Sequence, residues 1–281
     1  MLKQRIITAL LMLAVLLPAV FYPDTRAFGV VSTALMAAAA WEWARLNGRA
    51  AAAALLSGAV FALVCVVFWF SGGMAMQYPV LWLLVGGVWV LGGAWLLKGG
   101  APAWSKLPVA LRWPGGMLAL WAAWLAVNQA RALGVNFLFS VMVLVWVADS
   151  CAYFAGRSLG GRFFARKLAP SISPGKTWEG VCGGMLGVLV LAWLWRYADA
   201  QMAAEQASIY TLLAAKGLPL LLIGVVFLAA MSVVGDLVES LFKRSAGVKD
   251  SSALLPGHGG VLDRVDALLP TLPLAMMLFS L

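Results

Sequence analysis

Long apolar stretches, separated by short polar ones, recur along the whole chain. Nine of them suit a membrane-crossing helix: 6–22, 28–45, 52–71, 78–97, 114–128, 135–155, 179–197, 217–235 and 265–281. Backbone polar groups in lipid must pair internally, within a helix or around a closed barrel. None of the stretches shows the two-residue alternation of a barrel strand. The pattern therefore predicts an all-α fold, a polytopic membrane helical bundle of about nine transmembrane helices. The first stretch, MLKQRIITALLMLAVLLPAVFYP, has the basic start of a signal peptide. It lacks a small-residue cleavage site and a second apolar run follows at once, so it reads as a retained first span.

Composition agrees and adds an orientation. The chain has 281 residues, 63% hydrophobic and 11% charged, with a mean hydropathy of +0.94. Its net charge is +9, an excess that in such a chain marks cytoplasmic loops and gives no reason to expect nucleic acid. With the N-terminus cytoplasmic, 16 of the 20 basic residues fall on the cytoplasmic side, and only Arg26, Arg131, Arg196 and Lys216 fall opposite. Eight of the 11 acidic residues gather on the same side: Glu42, Asp149, Glu179, Asp236, Glu239, Asp250, Asp263 and Asp266. The positive-inside effect does not place carboxylates, so their gathering points to a site.

The chain divides into residues 1–130, apolar helices that read as scaffold, and 131–281, a catalytic region with two polar cytoplasmic loops, 156–178 and 236–264. Gly180/Gly184 and Gly183/Gly187 form overlapping G-x-x-x-G patterns, suited to close helix packing within one chain or across a dimer. Cys65, Cys151 and Cys182 have no metal-ligand spacing and read as small apolar side chains.

Three polar clusters could do chemistry. In WVADSCAYFAGRSLGGR, Asp149 and Tyr153 share a helix face, and Asp149 lies inside a predicted span, where a carboxylate is costly. In SISPGKTWEG, the GKT lacks the upstream glycine of a P-loop, because position 170 is Pro170. Ser173 followed by Pro174 instead predicts a helix start, with backbone N–H groups, Lys176 and Thr177 facing a phosphate. In VVGDLVESLFKRSAGVKDSSALLPGHGGVLDRVDA, Asp236, Glu239 and Ser240 share one helix face, and Asp263 and Asp266 stand three apart. Between them run basic residues and Pro256-Gly257-His258-Gly259-Gly260, whose glycines permit close backbone approach. Carboxylates on two helices flanking Lys and Arg suit a Mg²⁺–phosphate site.

The run S-x-x-K-R-x4-K-D-x-S-x2-L-P-G-H-G-G-x-x-D-R-x-D, from Ser240 to Asp266, resembles the signature of the phosphatidate cytidylyltransferases, or CDP-diglyceride synthases. The segments D-x-x-A-Y-x-x-G-R (149–157) and S-P-x-K-T-x-E-G (173–180) resemble the same family. The resemblance implies transfer of a cytidylyl group from CTP to phosphatidate, giving CDP-diacylglycerol and pyrophosphate, with Mg²⁺. It also implies a homodimer embedded in membrane lipid, in a bacterial inner membrane. By motif match, Asp236 and Asp263 bind the metal, and Asp149, Asp250 and Asp266 are supporting acids. Lys176, Lys243, Arg244, Lys249 and Arg264 bind phosphates, and Ser240 and His258 complete the site. Tyr153, Arg157, Ser173, Thr177, Glu179, Gly257, Gly259 and Gly260 fall within the same motifs and join the substrate-binding set. A transporter for Mg²⁺ or an organic anion is the rival reading, but such sites sit near the bilayer midplane, away from one-sided loops. A CDP-alcohol phosphatidyltransferase would carry D-G-x-x-A-R, which is absent.

Overall fold

The computed structural model describes residues 2–281. Its regular elements are helices: α1 (Leu2–Phe21), α2 (Thr25–Leu46), α3 (Ala51–Phe70), α4 (Pro79–Lys106), α5 (Val109–Leu133), α6 (Val135–Leu159), α7 (Trp178–Gln201), α8 (Ile209–Ala215), α9 (Leu218–Ser245), α10 (Leu262–Val265) and α11 (Leu268–Ser280). Seven of them, α1 to α4, α6, α7 and α9, are long and apolar enough to cross a membrane. Large apolar side chains such as Phe70, Leu91 and Trp193 are exposed on the outside of the bundle. The architecture is that of a multi-pass membrane protein.

Two of the nine expected spans, 114–128 and 265–281, correspond to α5 and α11, which are not among the seven. Both lie at the centre of the bundle. Residues 122–131 of α5 and 269–276 of α11 are all buried, and α11 packs on α4, α5 and α9. A helix wrapped by protein need not satisfy lipid, so α5 carries polar side chains and α11 is only 13 residues long. Asn128 of α5 donates to Ser32 Oγ (3.0 Å) and Gln129 to Met76 O (2.8 Å). Arg131 donates to Val20 O and Tyr22 O (2.6 and 2.8 Å), satisfying carbonyls that the end of α1 leaves open.

Helix bounds differ from expectation where polar residues extend a helix beyond its apolar run. The expected span 217–235 continues as α9 to Ser245, adding more than two turns that hold Asp236, Glu239, Ser240 and Lys243. The loop expected over 236–264 therefore begins at Ala246. α4 runs past residue 97 across a kink at Gly100, whose φ of +63° few other residues would accept. The three cysteines are free.

The α6–α7 pair is the closest in the bundle, and its glycines face its own neighbour. A Cβ on Gly180 would sit 2.8 Å from Ala152 O, and one on Gly184 2.8 Å from Ala148 O. Gly183 and Gly187 face Ala155 and Cys151. The small-residue stripe is thus filled within one chain, and it fixes α6 against the start of α7.

Gly184→Leu should force these backbones apart, costing about 1–3 kcal/mol as an overpacked contact. Gly87→Ala, with nothing within 4 Å, should not lower stability, since alanine is the better helix former. Thermal midpoints in detergent measure both; equal midpoints would refute the contact.

Candidate active site

Polar residues from four regions meet at one end of the bundle: the last turns of α6, the 160–177 segment, the extension of α9, and the 246–267 segment with α10. Two Pro-Gly turns shape the two connecting segments. Lys176 N–H donates to Ser173 O (3.2 Å), closing Ser173-Pro174-Gly175-Lys176. His258 N–H donates to Leu255 O (2.8 Å), closing Leu255-Pro256-Gly257-His258, and Gly257 has φ +78°. Proline presets the first inner position of such a turn, and in the second of them Gly257 takes the left-handed second position of the type II form. The expected helix start at Ser173 is not found for this reason. α7 begins at Trp178, and Thr177 is its N-cap, accepting Gly180 N–H on Oγ1 at 3.1 Å.

The first charge group joins the two segments. Lys176 Nζ lies 2.6 Å from Asp236 Oδ2 on α9, and Ser240 Oγ reaches Asp236 Oδ1 at 3.4 Å. Asp149 on α6 stands in the field of Asp236 and Lys176. Asp266, between α10 and α11, completes the set.

The second group lies deeper. Lys243 Nζ on α9 sits 2.6 Å from Glu239 Oε2 and donates to Asp263 Oδ1 at 2.7 Å. Its contact with Glu239 is ionic but not aligned as a hydrogen bond, so both Glu239 oxygens are buried without a hydrogen-bond partner. Asp263 Oδ2 accepts Ser251 N–H (2.9 Å), Ser251 Oγ (2.9 Å) and Gly260 N–H (2.7 Å). Burial alone would raise the Asp263 carboxyl. The bonds from Lys243 and Gly260 outweigh it and hold the group down at about 2, below its ordinary 3.8. A lowered carboxylate stabilises the fold above its ordinary value, and that contribution is lost as pH falls from about 4 towards 2.

A further carboxylate has no counterpart in the sequence reading beyond its place among the acidic residues of this face. Glu42, on α2 and fully buried, accepts Ser252 Oγ, Val261 N–H and Leu262 N–H at 2.6, 3.0 and 2.7 Å. A lone Glu in WEWARL near a span end gives no sign of such a role.

The remaining site candidates are placed as follows. Tyr153 Oη accepts from Arg157 at 2.8 Å on the exposed side of α6. Glu179 is buried and accepts the N–H groups of Gly161, Phe163 and Phe164 on one oxygen, so it organises the 160–164 turn from inside. Arg244 is exposed and makes long contacts to Ile172 O and Val248 O (3.4 and 3.5 Å). The half-buried His258 keeps Nδ1 without a partner. Gly259 has φ +84°, and a Cβ there would sit 2.6 Å from Asp263 Oδ2. A Cβ on Gly260 would collide with Ser251 Oγ and Glu42. Lys249, Asp250 and Arg264 are exposed at the rim.

Among the described residues, no three carboxylate, histidine or cysteine side chains converge on one point. Mg²⁺ ordinarily draws only one or two protein carboxylates and fills its shell with substrate phosphates and water. Asp236 and Asp263, on different elements, each turn one oxygen towards an ammonium, so both present hard oxygens in a cation-facing position. The donor set fits such an ion, with Asp263 limited to Oδ1 because Oδ2 is occupied by donors from its own loop.

Residues 3–281 match the model of the cytidylyltransferase family. The chain is 38% identical to a phosphatidate cytidylyltransferase of Pseudomonas aeruginosa, across 97% of this chain and 95% of that protein. It is 35% identical to the enzyme of the same name in Haemophilus influenzae, across 97% and 96%. A Bacillus subtilis phosphatidate cytidylyltransferase is 43% identical over 53% of this chain and 49% of that protein.

Lys243→Met should leave Glu239 and Asp263 buried without their shared counter-ion, lowering the unfolding free energy by about 3–5 kcal/mol. Arg244→Gln, on the exposed side of the same helix, should change it by no more than about 0.5 kcal/mol. Thermal melts in detergent distinguish them, and equal midpoints would show that Lys243 does not neutralise the pair.

Proposed function

The chain belongs to the cytidylyltransferase family, and we propose that it transfers the cytidylyl group of CTP to phosphatidate, giving CDP-diacylglycerol and pyrophosphate. The reaction takes place with Mg²⁺ at the cytoplasmic face of a bacterial inner membrane. One observation carries this reading: the Lys176–Asp236 and Lys243–Glu239/Asp263 contacts set cations beside hard oxygens at one end of an apolar bundle. A soluble nucleotide and a lipid phosphate can meet only at such a boundary.

A phosphate oxygen of phosphatidate bonds to the α-phosphorus of CTP, and the bond from that phosphorus to the bridging oxygen of pyrophosphate breaks. The nucleophile is already ionised, so the site needs no activated serine or cysteine. Its task is to bring anions together and to stabilise charge on the leaving group. Bound Mg²⁺ supplies part of that neutralisation, and Asp236 and Asp263 would hold it. Lys176 and Lys243 exchange a carboxylate for a phosphate oxygen when substrate arrives. Arg244, Lys249 and Arg264 draw the triphosphate in from the rim. Gly257, Gly259 and Gly260 let backbone approach it. Asp149, Asp250 and Asp266 balance the local charge, Ser240 orients Asp236, and His258 offers its unpartnered Nδ1. Tyr153, Arg157, Ser173, Thr177 and Glu179 shape the opposite wall. Residues 1–130 serve as scaffold and 131–281 as the catalytic region. The chain spans the membrane about nine times with its N-terminus cytoplasmic, a reading supported by the distribution of basic residues. Two copies form a homodimer through a surface other than the α7 glycine stripe, which α6 already fills.

Purified protein in detergent should release pyrophosphate only when CTP, phosphatidate and Mg²⁺ are all present. Asp236→Asn, which keeps shape and removes charge, should lower the rate roughly a hundredfold or more, a loss of ~2.7 kcal/mol of transition-state stabilisation. No substrate-dependent release from the unaltered protein would overturn the reading.

Orientation is tested separately. In a cysteine-free background, cysteines at the exposed positions Ser158 and Ala253 should resist an impermeant thiol reagent in intact cells and react after permeabilisation. Labelling of either in intact cells would reverse the topology.

A further inference from the structure

The segment from Gly247 to Val261 carries most of the signature residues, yet it contains little regular structure of its own. Its internal order is one isolated bridge, Leu255 to Gly259, the turn inside it, and the bond from Leu254 N–H to Ser252 Oγ (3.0 Å). Asp263 ties it at Ser251 and Gly260, and further ties come from the first two helices. Glu42 Oε1 accepts Ser252 Oγ (2.6 Å) and Val261 N–H (3.0 Å). Its Oε2 accepts Leu262 N–H (2.7 Å) and lies 3.2 Å from Ser251 Oγ. One carboxylate therefore pins both feet of the loop, residues 251–252 and 261–262. Two α1 side chains hold its tip: Arg5 Nε donates to Gly257 O and Thr8 Oγ1 to Pro256 O, each at 2.9 Å.

The chemistry of Glu42 matches this task. An ionised carboxylate only accepts, and its two oxygens offer about four lone-pair directions. The described residues give it no ion-pair partner, so hydroxyl and backbone dipoles balance its charge. The clamp also leads directly to the deeper charge group. The Ser251 hydroxyl lies between Glu42 Oε2 (3.2 Å) and Asp263 Oδ2 (2.9 Å). Gly260, whose N–H holds Asp263, is packed so tightly against Glu42 that a Cβ would strike it.

We infer that Glu42 is a positioning residue for the reaction: it touches no substrate, and it holds the 251–262 loop in the form that seats Asp263 against Lys243. The first half of the chain thereby helps to shape the site. The placement stands on geometry alone, and its effect on turnover rests on the cytidylyl-transfer reading.

The experiment uses full-length protein in detergent and two variants. Glu42→Gln keeps the shape but turns an NH₂ towards a backbone N–H, of Val261 or Leu262, that cannot accept it. Ser252→Ala removes the hydroxyl's bond to Glu42 and the one it accepts from Leu254 N–H, at a half-buried position, so it remains informative if Glu42→Gln does not fold. Amide hydrogen exchange over 251–262 should rise roughly tenfold or more in each, as expected for a lost charge-assisted bond, while α6, α7 and α9 keep their protection. The substrate-dependent rate should fall by a similar factor, and the two changes should be non-additive when combined. A merely structural role would raise exchange throughout the bundle. Unchanged exchange over 251–262 in both variants, or additive effects, would overturn the inference. If the unaltered protein forms no CDP-diacylglycerol, the activity reading fails while exchange and additivity still decide the role of Glu42.

Discussion

The site depends on one buried ammonium. Lys243 stands between Glu239 and Asp263 in a place where neither carboxylate can be hydrated well. Two such charges at close range would repel strongly at the low effective dielectric of a bundle interior. Lysine is suited to the place, since its ammonium is compact and its long stem lets the charge turn from one oxygen to another. The α9 extension beyond the apolar run exists to deliver this group: Glu239 and Lys243 are one helical turn apart, and Asp236 lies one turn earlier towards Lys176. A single helix thus carries Asp236 of the first charge group and both Glu239 and Lys243 of the second.

The other members are held by neighbours built with very little freedom. Close α6–α7 packing sets the beginning of α7, and Thr177 closes its first turn, so Lys176 is presented to Asp236 from a short, fixed arm. Glu179 ties the preceding turn through three backbone N–H groups. On the other side, Trp43 and Trp104 pack on Phe242 of α9 at 5.0 and 4.2 Å between ring centroids, steadying the turn that carries Lys243.

Much of the fold could be read from the sequence, because lipid imposes a simple rule on the helices that face it. All seven long apolar helices coincide with expected spans. The rule loses force where protein replaces lipid: α5 carries Asn128, Gln129 and Arg131 because other helices satisfy them, and α11 is short because it is enclosed. The Asp236-Glu239-Ser240 helix face could be read from spacing alone. The helix start expected at Ser173 is a turn instead, because Pro174 suits a turn as well as a helix start. Glu42 could not be found from spacing, since its partners lie 209 to 220 positions away. Its only local sign was a carboxylate near the end of a span, with no periodicity or motif to link it to the loop.

The clamp on the 251–262 loop also has a consequence for the order in which the protein can be made. Glu42, Arg5 and Thr8 leave the ribosome long before Ser252, Pro256 and Leu262 are synthesised. Until then, a carboxylate in α2 waits without its partners at the edge of a growing bundle. Its donors arrive only with the last fifth of the polypeptide, as does Asp263. Contacts between such distant positions form late and slowly. Synthesis therefore passes through a stage in which most helices are present and the polar end of the bundle is still open.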